Sequence, residues 1–158
     1  MPNGTQSGIA DSKRVCEYLN IPSYEINIGS ACNALYRAID EGYDFDKQCS
    51  QNPMVSTNTP ARLRMATLYA VAALVHGRVC CTSNRSERYV GYSTKYGDSA
   101  GDFAPLLDYT VKELLMIGDV LDLPEDLVHK VPSDGMCGSS DEDNLGFTYN
   151  ELDNYLID

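Results

Sequence analysis

The residues best suited to chemistry lie between Thr82 and Asp102, where the chain reads TSNRSERYVGYSTKYGDSAGD. Hydroxyls, carboxylates, a lysine and glycines share one short segment. In open α/β sheets ligands bind where a strand end leads into a helix start, because strand carboxyl ends and helix amino ends converge there. At such an edge the Thr82 hydroxyl can bond a phosphate or a ribose. Glu87, one turn into the helix, can offer a carboxylate to Mg²⁺, which takes hard oxygen ligands shared between protein and phosphates. The same spacing also fits a purely structural pair, with Asn84 and Glu87 forming a capping box. Farther on, TKYGDSAGD sets Lys95 among aspartates on a turn, with Asp102 at its end. Lysine suits a phosphate or carboxylate as a point charge, and aspartate suits ribose hydroxyls or an amine. The alternative there is a solvated loop of turn-forming residues. Upstream, Arg62 and Arg64 interrupt an apolar run, and a guanidinium beside buried surface calls for an anionic partner.

Composition limits what these groups can serve. The chain has 158 residues, 43% of them hydrophobic, enough for one domain with a core and too few for two ordinary ones. Its formal net charge is -11, so its field repels nucleic-acid backbones and anionic lipid surfaces. An anionic ligand must find local Arg and Lys to overcome that field. No apolar run approaches the roughly 20 residues of a membrane span, and MPNGTQSGIADSK lacks the pattern of a secretory signal; a cytoplasmic protein is expected. Six cysteines without C-x-x-C spacing are expected to be reduced and mostly buried, with the neighbours Cys80 and Cys81 pointing to opposite faces. His76 and His129 carry no catalytic signal, and Asp141, Glu142 and Asp143 lack the EF-hand spacing.

The positioning elements read as an α/β alternation. A helix is expected over Ile9 to Leu19, and a strand over Tyr24 to Ile28, where apolar and polar residues alternate. Ser30 is expected to cap a helix to about Ile39, followed by a loop to Gln51. Thr59 and Pro60 predict a helix start, with the helix running to His76 and apolar nearly all round, hence covered on all sides. Arg78 to Thr82 predicts a short buried strand. Thr110 with Glu113 and Thr148 with Glu151 are capping boxes that open two further helices. Ser133 to Asn144 has loop composition and is expected to act as a lid.

The ordered set NTPARLRM, CTSNRSERYVGYSTKYGDSAGDFAPL, TVKEL, PSDG and DEDNLGFTYNELDNYL resembles the synthetase domain of the ammonia-using NAD synthetases over most of the chain. The resemblance implies an α/β, Rossmann-like ATP-pyrophosphatase fold (adenine nucleotide alpha hydrolase-like), homodimeric, that amidates nicotinic acid adenine dinucleotide (deamido-NAD) through an adenylate. ATP and Mg²⁺ are the implied cofactors; deamido-NAD and ammonia are the implied substrates. Carried over residue by residue, Gln6 would lie by the ATP adenine, Thr82 would contact ATP, and Ser133 would meet its phosphates. Glu87 would bind Mg²⁺, while Arg62, Lys95 and Asp102 would hold the deamidated dinucleotide. The family's phosphate lysine falls on Val111, so Lys112 takes that role only if the register shifts by one.

Residues 1–158 are accordingly expected to form a single, incomplete domain of this type. The first strand, the SGGxDS phosphate loop and the C-terminal end of the family pattern do not appear in the sequence. Met1 is expected to be an internal methionine of a longer protein. Three functions follow: the amidation itself, a non-catalytic remnant that dimerises or binds a dinucleotide, or another ATP-pyrophosphatase-type amidation with a different acceptor.

Overall fold

The computed structural model describes residues 1–4, 8–44, 51–133 and 140–157. Eight helices occur among them: α1 (Ile9–Tyr18), α2 (Gly29–Gly42), α3 (Met54–Val75), α4 (Arg85–Val90), α5 (Val111–Val120), α6 (Glu125–Val128), α7 (Asp141–Leu145) and α8 (Tyr149–Ile157). The α/β, Rossmann-like expectation is overturned, because the described residues contain no strand and no sheet. The nearest approach is one isolated parallel bridge between Cys80 and Phe103. The reason is that an alternating sequence becomes a strand only when a neighbour completes its ladder of hydrogen bonds. Tyr24 to Ile28 alternates in sequence but not in burial, since Tyr24, Ile26 and Ile28, which would share one strand face, are 85%, 38% and 3% exposed, and among the described residues it has no ladder. The chain's own start runs beside it, where Ile28 N donates to Pro2 O at 2.8 Å and Asn27 bonds both the N–H and the carbonyl of Gly4, and Lys13 of α1 pairs with Glu25 at 3.0 Å.

The helices largely follow their caps. Asn84, Thr110 and Ser140 each accept from the N–H three residues on, and Glu87, Glu113 and Asp143 reach back in return. Thr148 and Glu151 do the same for α8. Gly91 and Gly146 end α4 and α7 in the left-handed region. The third of these boxes, Ser140 with Asp143, makes a helix where loop composition predicted none. Helix α3 also departs from expectation: it starts at Met54, and Pro60 lies inside it. Pro60 gives no N–H to the Ser56 carbonyl one turn back and crowds it, and the turn before is held by the Ser56 and Thr57 hydroxyls, which donate to Pro53 O. The described residues do not cover α3 on all sides as expected, since Pro60, Ala61 and Met65 are buried while Leu74 is 81% exposed.

Packing pairs α3 with α2, α6 with α5, and both α4 and α5 with α8. The last junction is built around Asp153, which is 1% exposed. One of its carboxyl oxygens accepts from Lys112 N at 2.8 Å, and the other from the Ser86 hydroxyl. Ser86 Oγ in turn accepts from Val111 N at 3.1 Å. Two N–H groups at the start of α5, which no helical carbonyl can satisfy, are thus held by α8 and α4. Helix α1 is clamped separately: Arg14 forks onto Asp126 at 2.8 and 3.2 Å, Lys130 bonds Asp11, and Tyr18 OH donates to Asp122 O. The Asp126 carboxyl is held below its usual range by the Arg14 hydrogen bond.

Two measurements follow from this layout. Asp153→Ala leaves the Lys112 N–H and Ser86 without their partner in a buried place, and is expected to lower stability by about 3 kcal/mol; a change below about 1 kcal/mol in urea unfolding would refute the junction's role. Glu87 has its pKa raised, first by burial and then by the charges of Asp141 and Asp98, against the Asn84 N–H that favours the charged form. A raised carboxyl binds more protons folded than unfolded, so its contribution to stability falls as pH rises through the folded pKa. Glutamine can fill the same capping position. Glu87→Gln should therefore equal or exceed the unmutated chain in stability at pH 7, with that difference gone below the unfolded glutamate pKa of about 4.3; a clear loss of stability at pH 7 would contradict this.

Candidate functional site

Local geometry brings some of the predicted residues together and leaves others apart. Arg62, on the third turn of α3, donates through Nε to Lys95 O at 3.2 Å. Lys95 Nζ lies 5.0 Å from the centre of the Tyr96 ring. Tyr96 has φ 62°, left-handed backbone in which a bulky side chain is an outlier. The loop is fixed from within: Asp98 accepts from Thr94 N at 2.8 Å, the Ser99 hydroxyl donates to Thr94 O, and Thr94 Oγ1 donates to Asn58 on α3 at 2.7 Å. One cation from α3 and, from the adjoining turn, a second cation with an exposed aromatic ring are therefore brought to the same place. Asp102 stands nearby in sequence but is engaged, its Oδ2 accepting from Val79 N at 2.7 Å while its own N–H donates to Val79 O.

The remaining expected contacts are dispersed. Thr82, Lys112 and Ser133 are exposed on three separate segments, and Lys112 Nζ bonds Asn154 at 3.4 Å. Gln6 lies outside the described residues. Arg64 Nε donates to a carbonyl, Met1 O, at 2.8 Å. Glu87 is the N3 member of the α4 capping box, with Oε2 accepting from Asn84 N at 3.1 Å. Near it Tyr149 is 3% exposed, and burial together with the charges of Asp141 and Glu87 pushes its hydroxyl far above the usual phenol range. Among the described residues no three His, Cys, Asp or Glu converge as a metal-holding group. A Mg²⁺ at Glu87 would rest on one protein carboxylate and take its other oxygens from phosphates and water, which that ion accepts.

The expectation that these residues carry ATP-dependent amidation of deamido-NAD is corrected by this layout. That reading required phosphate, ribose and metal contacts to converge at the carboxyl ends of a sheet, and the described residues form none. The non-catalytic reading, a chain that dimerises or binds a dinucleotide, fits better. Sequence reasoning missed the Asp153 and Ser86 pair. Its signal was present, since Asp153 follows Leu152 on the apolar side of the last helix, where an acid needs a buried partner. Cys80 and Cys81 do face opposite ways, exposed and buried, and both are free thiols, as are Cys16 and Cys32; Cys49 and Cys137 lie outside the described residues. No helix among the described residues is long and apolar enough to cross a membrane.

Comparison with known proteins gives one answer. The family model "NAD synthase" matches residues 1–157. The NH(3)-dependent NAD(+) synthetase of Syntrophomonas wolfei is 38% identical over 149 residues, covering 92% of this chain and 58% of that protein. Its counterpart in Thermococcus kodakarensis is 38% identical over 157 residues, covering 99% of this chain and 59% of that protein. Among solved structures, NMN synthetase from Francisella tularensis superposes with a TM-score of 0.85 at 35% identity over 98% of this chain and 62% of that one. The NH3-dependent NAD synthetase from Campylobacter jejuni, solved with a nitrate ion, gives a TM-score of 0.72 at 31% identity over 99% of this chain and 59% of that one. The chain spans under two thirds of the length of each of these relatives. A match running from the first residue to the last but one shows that the chain belongs to the NAD synthase family, ligases of NAD biosynthesis.

Proposed function

We propose that this chain, as one domain of 158 residues, binds the deamidated dinucleotide and self-associates as a homodimer, without completing adenylation on its own residues. The observation that carries the reading is the Arg62, Lys95 and Tyr96 group. In a chain of net charge -11, Arg62, bonded to the Lys95 carbonyl at 3.2 Å, together with the Lys95 ammonium and the exposed Tyr96 ring suits a ligand with a pyrophosphate and flat bases. Guanidinium and ammonium groups take phosphate oxygens, and an aromatic face takes a base. Asp102, with Oδ2 on the backbone, keeps Oδ1 for a ribose hydroxyl.

ATP is the second ligand we assign, contacted by Thr82, Lys112, Ser133 and Gln6, with Mg²⁺ reaching the chain through Glu87. Self-association follows from α3, whose apolar surface this chain leaves open at Leu68, Tyr69, Leu74 and Val75. A cytoplasmic setting suits the free thiols.

Two measurements test the proposal. In calorimetric titration with deamido-NAD, Arg62→Ala and Lys95→Ala should each weaken binding about tenfold, the equivalent of 1.4 kcal/mol, while ATP, Mg²⁺ and ammonia added together release no AMP. AMP and NAD appearing with the purified chain would overturn the non-catalytic reading. In sedimentation at micromolar concentration the chain should run as a dimer and Leu74→Glu as a soluble monomer, since Leu74 is 81% exposed in the single chain and is not needed for its core. A monomeric unmutated chain would remove the dimer from the reading.

A further inference from the structure

Two extended segments meet at the parallel bridge between Cys80 and Phe103. Cys81, Ser83, Gly101 and Phe103 line a cavity of about 370 Å³ beside it. Arg62, Lys95, Tyr96 and Asp102, which the resemblance gives to the dinucleotide, and Thr82, which it gives to ATP, are not among the lining residues. The cavity is therefore a different place from the one already described.

The cavity exists because of Gly101. A Cβ at that position would lie 2.5 Å from Cys81 N and 2.7 Å from Cys81 Cβ, so the two backbones touch there and form a closed floor. Across the floor stand Arg88 on α4 and Ser93 just beyond it, with Phe103, Ala104 and Leu107 as an apolar wall. Among the described residues no carboxylate lies within ion-pair distance of Arg88. The hydroxyls of Ser83 and Ser93 likewise have no hydrogen-bond partner there, whereas Ser99 already donates to Thr94 O. One guanidinium and two available hydroxyls thus border a half-apolar hollow whose size lies at the small end of ligand sites.

This chemistry selects its ligand. A lone arginine with hydroxyl donors matches the planar, singly charged carboxylate in fork geometry. A phosphate dianion would call for further cations or a cradle of backbone N–H groups, and this wall offers neither. A carboxylate alone leaves most of the volume empty, and the half-exposed Phe103 ring with Leu107 favours a flat apolar body stacked against it. We propose that the cavity bounded by Arg88, Ser83, Ser93 and Phe103 is a further ligand site, taking a small aromatic carboxylate independently of the Arg62 and Lys95 site.

The test uses the full chain with benzoate as probe, followed by amide chemical shifts in NMR. Benzoate should shift the amides of Ser83, Ser93, Gly101 and Ala104 and leave Lys95 and Tyr96 unmoved. Arg88→Gln, at an exposed position, should weaken binding at least tenfold without lowering the melting temperature, and Ser93→Ala should weaken it by a smaller factor. Saturating deamido-NAD should not displace the probe. Shifts confined to Lys95 and Tyr96, unchanged affinity in Arg88→Gln, or inorganic phosphate binding as well as benzoate would each overturn the proposal.

Discussion

Everything on the C-terminal side of this chain depends on how the start of α5 is satisfied. A helix begins with N–H groups that have no partner in their own helix, and when they are buried another part of the chain must supply the acceptors. Here Asp153 and Ser86 do so from two other helices. The arrangement fixes α4 against α8 at the same time as it starts α5. Since α4 carries Glu87 and Arg88 on either side of its short length, the positions of both groups are inherited from a carboxylate more than sixty residues away in sequence. Hydrogen bonds of this kind contribute about 1 kcal/mol each while made, and leave larger penalties when one member is lost.

The distribution of charge has a similar economy. Of the basic side chains, Lys13, Arg14 and Lys130 are occupied in ion pairs that hold α1 in place, contacts that contribute little individually at a surface. Arg62 donates to the backbone of Lys95, whose own ammonium lies beside the Tyr96 ring, and Arg88 stands on its own helix. The net negative field is therefore interrupted at a few points only, and those points are where anions can approach.

How much of this could be read from residues alone varies by element. Capping boxes at Thr110, Thr148 and Asn84 gave reliable helix starts because the signal is local: two side chains, three residues apart, satisfying each other's backbone. The same rule applied to Ser140 and Asp143 would have found α7, which the surrounding Gly, Ser and Asp residues concealed. Strand readings at Tyr24 to Ile28 and Arg78 to Thr82 failed for the opposite reason. Alternation records which faces can be buried, but a strand also needs a partner, and that partner is not encoded in the segment itself. The grouping of Arg62 with Lys95 followed from family resemblance, whereas the occupation of Asp102 by Val79 N required three-dimensional contact across 23 residues.

Tyr96 shows what the Lys95 turn demands of the sequence. Left-handed backbone is the natural territory of glycine, and a residue of this size holds it only at an expense of about 1 to 3 kcal/mol. The neighbouring Gly97 cannot relieve it by exchanging places, because a Cβ there would press to 2.9 Å from the Thr94 methyl and 3.1 Å from Ala61. Order within the Tyr-Gly pair is thus locked by two different forces, one pushing the aromatic ring outward into solvent and the other drawing the bare backbone against α3. In mutational terms the dipeptide is a single unit: swapping its members should be far worse than changing the tyrosine alone, and tolerance at one position cannot be read without the other.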